Sequence, residues 1–182
     1  MQSTAPTLKA DILTLRTPRL EEMPYIQKLW ADPMTMAEVG GPIHLSEEQA
    51  QKWYARMITP GSEKNGYFLI FNQNDQPVGE ISFHRYDPTS GTAEFNIKIE
   101  HCHRGKGYAG KAVPLLLRYF FFDFGGKVMC DPVAFDNQPG KKALIKLGFR
   151  QDASRPDVCL LKMTKDEFID IYGNNPSRKE SS

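Results

Sequence analysis

Ala93-Glu94-Phe95-Asn96-Ile97-Lys98-Ile99, followed by Arg104-Gly105-Lys106-Gly107-Tyr108-Ala109-Gly110, is the stretch on which the fold turns. Phe95, Ile97 and Ile99 alternate with Glu94, Asn96 and Lys98, so the first part reads as a strand with one apolar and one polar face. Gly105, Gly107 and Gly110 then free the backbone to take φ > 0 and to approach another group closely. The apolar run from Val113 to Phe124 that follows predicts a buried helix. Strand, glycine loop and helix in this order aim successive amide N–H groups at one point by a helix N-terminus, where an anion is favoured.

Two loop patterns overlay the glycines. Gly105, Gly107 and Gly110 have the spacing of a dinucleotide fingerprint, and Asp131 lies about 20 residues past the last of them, where a ribose-binding acid belongs. Gly105, Gly110 and Lys111 have the spacing of a P-loop, with Ala112 where a hydroxyl must hold Mg²⁺. The surrounding chain argues against both. The strand before the loop alternates instead of being apolar throughout, the units upstream read as antiparallel hairpins, and too little chain follows for several βαβ units. A dinucleotide-dependent oxidoreductase remains the less favoured alternative.

Upstream, Tyr67 to Asn72, Val78 to Tyr86 and Ala93 to Ile99 are three strands joined by Asn74-Asp75-Gln76-Pro77 and Asp87-Pro88-Thr89-Ser90-Gly91, an antiparallel meander. The same alternation places Glu80, Ser82 and His84 on one face of the middle strand. Before the meander, Ile12 to Leu15 reads as a strand. Leu20, Met23, Ile26, Leu29 and Trp30 recur at helical spacing until Asp32-Pro33, and Ser46-Glu47-Glu48-Gln49 opens a second helix with a capping box.

Downstream, Gly125-Gly126 ends the long helix, in which Pro114 predicts a kink or a loose first turn. A strand from Lys127 to about Cys130, a short helix from about Gly140 to Leu147, a strand from Val158 to Met163 and a helix to Tyr172 complete the pattern. Residues 173–182 are polar and predict a disordered tail.

The chain of 182 residues suits one well-buried domain. A formal charge of +1 gives no global reason to expect nucleic acid. Cys102, Cys130 and Cys159 are odd in number and far apart, which argues for a reducing compartment. No secretion signal and no run of roughly 20 apolar residues is evident, so cytoplasm is expected, with no membrane partner. His101-Cys102-His103 predicts an exposed turn and no metal, because neighbours in an extended segment point apart.

Arg104, Gly107 and Ala109 also match the Arg/Gln-x-x-Gly-x-Gly/Ala signature of acetyl-CoA-dependent N-acetyltransferases. Asn137-Gln138-Pro139-Gly140-Lys141-Lys142-Ala143 through Lys146-Leu147-Gly148-Phe149 resembles the Asn-x-x-Ala/Ser…Lys-Leu-Gly-Phe segment of the GCN5-related N-acetyltransferase (GNAT) superfamily. The opening, Leu13-Thr14-Leu15-Arg16-Thr17-Pro18-Arg19-Leu20 with Ala31-Asp32-Pro33 after it, is similar to the ribosomal-protein-acetylating branch and related small-amine acetyltransferases. The resemblance spans about residues 10 to 172. It implies an α/β (α+β) fold, a mixed and mainly antiparallel central sheet flanked by helices, forming one N-acetyltransferase domain over residues 1–172. It implies acetyl-CoA as co-substrate, no metal, and an amine acceptor that is a small molecule or a protein N-terminus, in a monomer or homodimer. A CoA-binding domain without catalysis is the competing reading.

Within that resemblance, the N–H groups of Gly105, Lys106, Gly107, Tyr108, Ala109 and Gly110 would hold the CoA pyrophosphate, with Arg104 or Lys106 adding charge. Pantetheine would lie along Ile97, Lys98 and Ile99, whose backbone could polarise the thioester. Asn137 either meets pantetheine or caps the short helix, and Lys142 could meet a phosphate. For the general base, Glu94 is the first candidate, Asp131 the second and Glu80 a third. Leu144 stands where many members carry the tyrosine acid.

Overall fold

The computed structural model describes residues 6–174, so most of the tail predicted to be disordered lies outside the described residues. Its first hairpin joins β1 (Leu8–Ala10) to β2 (Leu13–Arg16). Sequence reading places only the second of these strands, because β1 spans three residues and shows little alternation. A 3-10 turn at Leu20–Glu22 leads into α1 (Met23–Ala31). Asp32 then does more than end that helix. Its carboxylate accepts the N–H groups of Met34 and Thr35 and starts a short α2 (Pro33–Met36).

Ser46 and Gln49 cap α3 (Glu47–Met57) reciprocally, as the capping box predicts. The meander follows as β3 (Gly66–Asn72), β4 (Pro77–Asp87) and β5 (Thr92–Ile99). The glycine loop opens α4 (Tyr108–Arg118), which contains Pro114 and passes into a π turn at Tyr119–Phe124. Gly125 ends it at φ 96°, a left-handed conformation that glycine adopts without strain. The chain closes with β6 (Val128–Pro132), α5 (Gln138–Lys146), β7 (Arg150–Gln151), β8 (Leu160–Thr164) and α6 (Lys165–Tyr172). A reciprocal Thr164–Glu167 capping box starts α6.

The strands form one sheet in the order β1-β2-β3-β4-β5-β6-β8-β7, antiparallel throughout except for the β5–β6 pair. That is the mixed, mainly antiparallel sheet expected from sequence. It also removes the dinucleotide alternative, because the strand feeding the glycine loop lies antiparallel to its upstream neighbour.

Alternation along the strands builds two apolar layers. Phe68, Ile70, Ile81, Phe83 and Phe95 pack under Val113, Leu116 and Leu117 of α4, with Phe120, Phe121 and Phe168 around them. On the opposite face Tyr67, Leu69 and Phe71 pack under Met23 and Ile26 of α1 and Ala50 and Trp53 of α3. Neither helix pair reaches the polar half of β4 and β5, so His84, Glu94 and Asn96 stay partly open to solvent.

Candidate active site: an opened strand edge beside a helix N-terminus

β5 is paired to β4 along nearly its whole length, from Gly79–Ile99 to His84–Glu94. Its pairing to β6 covers only Thr92–Val128, Ala93–Met129 and Glu94–Cys130, after which β6 stays with β8. Beyond Glu94 the two parallel strands therefore part. The Glu100 N–H donates to the Val78 carbonyl at 2.9 Å, which sets the alternation of β5: even-numbered residues bond to β4 and odd-numbered residues face the β6 side. On that side the Gly91 carbonyl accepts the Val128 N–H at 3.1 Å. The Phe95 C=O, the N–H and C=O of Ile97 and the Ile99 N–H thus point into the gap, whereas the Phe95 N–H belongs to the last rung of the ladder, opposite the Cys130 carbonyl.

The gap ends at the glycine loop. Gly105 and Gly107 sit at φ 75° and 83°, with nothing within 4 Å of a Cβ built on either, so it is the backbone conformation that asks for glycine there. Gly107 is the N-cap of α4 and supplies no side-chain cap. The first N–H groups of this 11-residue helix therefore keep their capacity for an anion, with the positive end of the helix dipole behind them. Pro114 lacks the N–H that would bond to the Gly110 carbonyl one turn back.

Of the predicted site residues, the fold gathers Ile97, Ile99 and the segment from Arg104 to Gly110 at this junction. Arg104 is a brace: its Nε donates to the Ile99 carbonyl at 3.2 Å and its Nη2 to the Thr35 carbonyl at 2.9 Å. Lys106 is exposed, while Tyr108 packs against the main core. Asn137 takes the capping role, its Oδ1 accepting the Gly140 N–H at 3.0 Å. Lys142 is exposed on α5, and Leu144 is buried in the core.

Lys98 is not brought to the gap. Its side chain runs to the opposite side of the sheet, where Nζ lies 2.7 Å from Glu80 Oε1. Even-numbered, it also spends its backbone groups on β4. Glu80 in turn is 1% exposed and accepts from Trp30 Nε1 at 2.8 Å and from the Tyr67 hydroxyl. Burial first, and the Glu80 charge second, push the Tyr67 phenol well above its usual range. With every approach to its carboxylate taken, Glu80 is withdrawn as a candidate base. Sequence reading missed this cluster because Trp30 and Tyr67 looked like core aromatics, and only tertiary pairing aims their polar ends at one carboxylate.

The other two carboxylates meet at the mouth of the gap. Glu94 lies 3.2 Å from His84 Nε2 and 3.3 Å from Arg85 Nη1. Burial is the main reason the His84 imidazole is held below its usual pKa, which Glu94 only partly offsets. Asp131 stands on β6 where the pairing to β5 has just ended. Burial first, then the charge of Glu94, raise its carboxyl to about 7. A carboxylate poised there can accept a proton near neutral pH.

Comparison with known proteins agrees with this architecture. The acetyltransferase (GNAT) domain matches residues 13–150. An uncharacterized N-acetyltransferase, p20 of Bacillus licheniformis, is 26% identical over 91% of this chain and 93% of its own. The ribosomal-protein-serine acetyltransferase of Escherichia coli is 31% identical over 67% of this chain and 62% of its own. Among solved structures, the spermidine N-acetyltransferase of Vibrio cholerae in complex with CoA and spermine superposes with a TM-score of 0.76 at 18% identity, over 86% of this chain and 98% of that one. Family match, relatives and fold agree: the chain belongs to the GNAT acetyltransferases and is an N-acetyltransferase.

Proposed function

We propose that the enzyme moves acetyl from acetyl-CoA directly to a primary amine, with both substrates bound at once. The observation that carries this reading is the junction itself: a strand edge with unpaired main-chain groups runs straight into an uncapped helix N-terminus. An extended arm ending in a pyrophosphate matches that pair of features. The N–H groups from Gly105 to Gly110 take the phosphates, Lys106 adds positive charge, and Arg104 holds loop and strand end in register. The Ile97 and Ile99 N–H groups bind the arm and polarise the thioester carbonyl. Lys142 lies on the helix that follows, available to a phosphate.

Asp131 takes the proton from the acceptor ammonium, and Glu94 tunes it. A group titrating near 7 matches that task better than a carboxylate already engaged by His84 and Arg85. Leu144 supplies no acid, so the thiolate leaves without a proton from α5, which its ordinary pKa of about 8.5 allows. The acceptor enters over the open end of the polar face of β4 and β5, at His84, Glu94 and Asn96. It is a small-molecule amine or a protein N-terminus, the two kinds of acceptor suggested by the spermidine and ribosomal-protein relatives.

Thiol release from acetyl-CoA with a panel of polyamines and Ser- or Ala-starting peptides tests the reading. Turnover with intersecting initial-velocity lines is expected. Parallel lines would overturn direct attack, and tight CoA binding with no turnover on any amine would favour the non-catalytic alternative that Leu144 suggests. The expectations of cytoplasmic location and of a monomer or homodimer are carried forward as part of this proposal. Among the described residues no helix is long and apolar enough to cross a membrane.

A further inference from the structure

The turn after β5 carries three chemically different ligating groups that the acetyl-transfer site does not use. The expectation of side chains pointing apart rested on an extended backbone, but His101–His103 forms a 3-10 turn. Its tighter winding brings one oxygen of Glu100, Sγ of Cys102 and one ring nitrogen of His103 within 4.8 Å of one another. We propose that this turn binds one thiophilic divalent cation, of which Zn²⁺ is the representative, through the Cys102 thiolate, the His103 imidazole and the Glu100 carboxylate.

Several observations beyond the clustering support it. His103 Nε2 lies 3.9 Å from Glu100 Oε2, too far for a hydrogen bond. Two ligands on a tetrahedral zinc with bonds of about 2.0 Å stand about 3.3 Å apart, so a closure of about 0.6 Å brings this pair into place. The Glu100 carboxylate is already oriented, its Oε2 accepting from the Tyr25 hydroxyl at 3.2 Å, which is how outer partners hold a metal ligand. Lys28 reaches Glu100 Oε1 at 3.2 Å but is 71% exposed, so it can turn to water when a cation arrives.

The turn is also fastened at both ends. The His101 N–H donates to Thr35 Oγ1 at 2.9 Å, and Arg104 grips Ile99 and Thr35. A thiolate, an imidazole and a carboxylate select zinc-like cations over Mg²⁺ or Ca²⁺. Thiolate and carboxylate together neutralise a divalent charge, and the thiol proton passes to solvent, so affinity rises with pH. Cys102 is exposed and open to an incoming ion. The protein supplies three ligands and leaves a fourth position to water.

The test titrates the full chain, free of CoA because the CoA thiol is itself a metal ligand, with Co²⁺ and then Zn²⁺. One equivalent of Co²⁺ should bring a sulfur-to-cobalt charge-transfer absorption that Zn²⁺ abolishes, and Zn²⁺ should raise the Tm. Cys102→Ser should remove the absorption and weaken Zn²⁺ binding by about tenfold or more, His103→Gln should weaken it while keeping the absorption, and Cys130→Ala should change neither. Absence of the absorption in the unsubstituted chain would overturn the site. So would its persistence in Cys102→Ser, which would place the metal on another thiol.

Discussion

The Lys98 ammonium lies 2.7 Å from the Glu80 carboxylate, with the two side chains 10% and 1% exposed. Trp30 and Tyr67 donate to the second oxygen of Glu80, so the carboxylate ties α1 and β3 to the strand that forms the rim of the gap. A pair desolvated to this degree is worth little against an apolar replacement, but removing one member strands the other. Glu80→Leu should therefore cost about 3–5 kcal/mol, and Glu80→Leu with Lys98→Met much less, as read by denaturant unfolding. Additive losses in the double variant would mean the pair is not coupled.

Asp131 should set the pH dependence of the reaction. With its carboxyl near 7, kcat/KM should rise with pH through an inflection in that region. Glu94→Gln removes a negative charge that favours the protonated form of Asp131, so the inflection should move to lower pH with much activity retained. Asp131→Asn should lower kcat by about 10²–10⁴-fold. An unshifted inflection, or a loss of that size in Glu94→Gln instead, would transfer the role of base to Glu94.

The same carboxyl leaves a signature in stability. Its folded pKa of about 7 is raised above the unfolded value, so between roughly pH 4 and pH 7 the folded chain binds the extra proton. Stability from this group is present at low pH and is lost as pH rises through that window. Asp131→Asn should accordingly be more stable than the parent at pH 8, with the difference vanishing near pH 4. Thermal melts at the two pH values decide it, and a constant offset would show that Asp131 is not buried as described.

Gly107 separates strain from charge. Its φ of 83° costs a side-chain-bearing residue about 1–2 kcal/mol, while the open space around it means no clash. Gly107→Ala should lower stability by about that amount and weaken CoA modestly. Gly107→Glu puts a carboxylate where the phosphates are proposed to sit and should abolish CoA binding by calorimetry. A folded Gly107→Glu variant with unchanged affinity would refute the assignment of the loop.

What could be read from the chain in advance follows from the range of each signal. The alternation of β5, the glycine loop and the Ser46–Gln49 cap are local patterns, and the structure has them as expected. β1 and β7 are too short to carry a periodicity and exist through the neighbours they pair with. The turn at His101 is present as expected, but it is anchored by Thr35, 66 residues away, a contact that no local pattern shows. Glu80, Glu94 and Asp131 could be named as acids from the sequence, but only the tertiary surroundings separate a neutralised carboxylate from one poised to titrate.

An unpaired strand edge is ordinarily an invitation to aggregate, since any passing chain can add to it. Here that edge lies inside the sheet, between β5 and the departing β6, in a notch bounded on both sides by the protein's own strands. A foreign β-strand brings side chains on both its faces and is poorly suited to such a slot, whereas a thin, unbranched extended molecule is not. The parting of two strands thus gives the fold a hydrogen-bonding template while withholding it from other proteins.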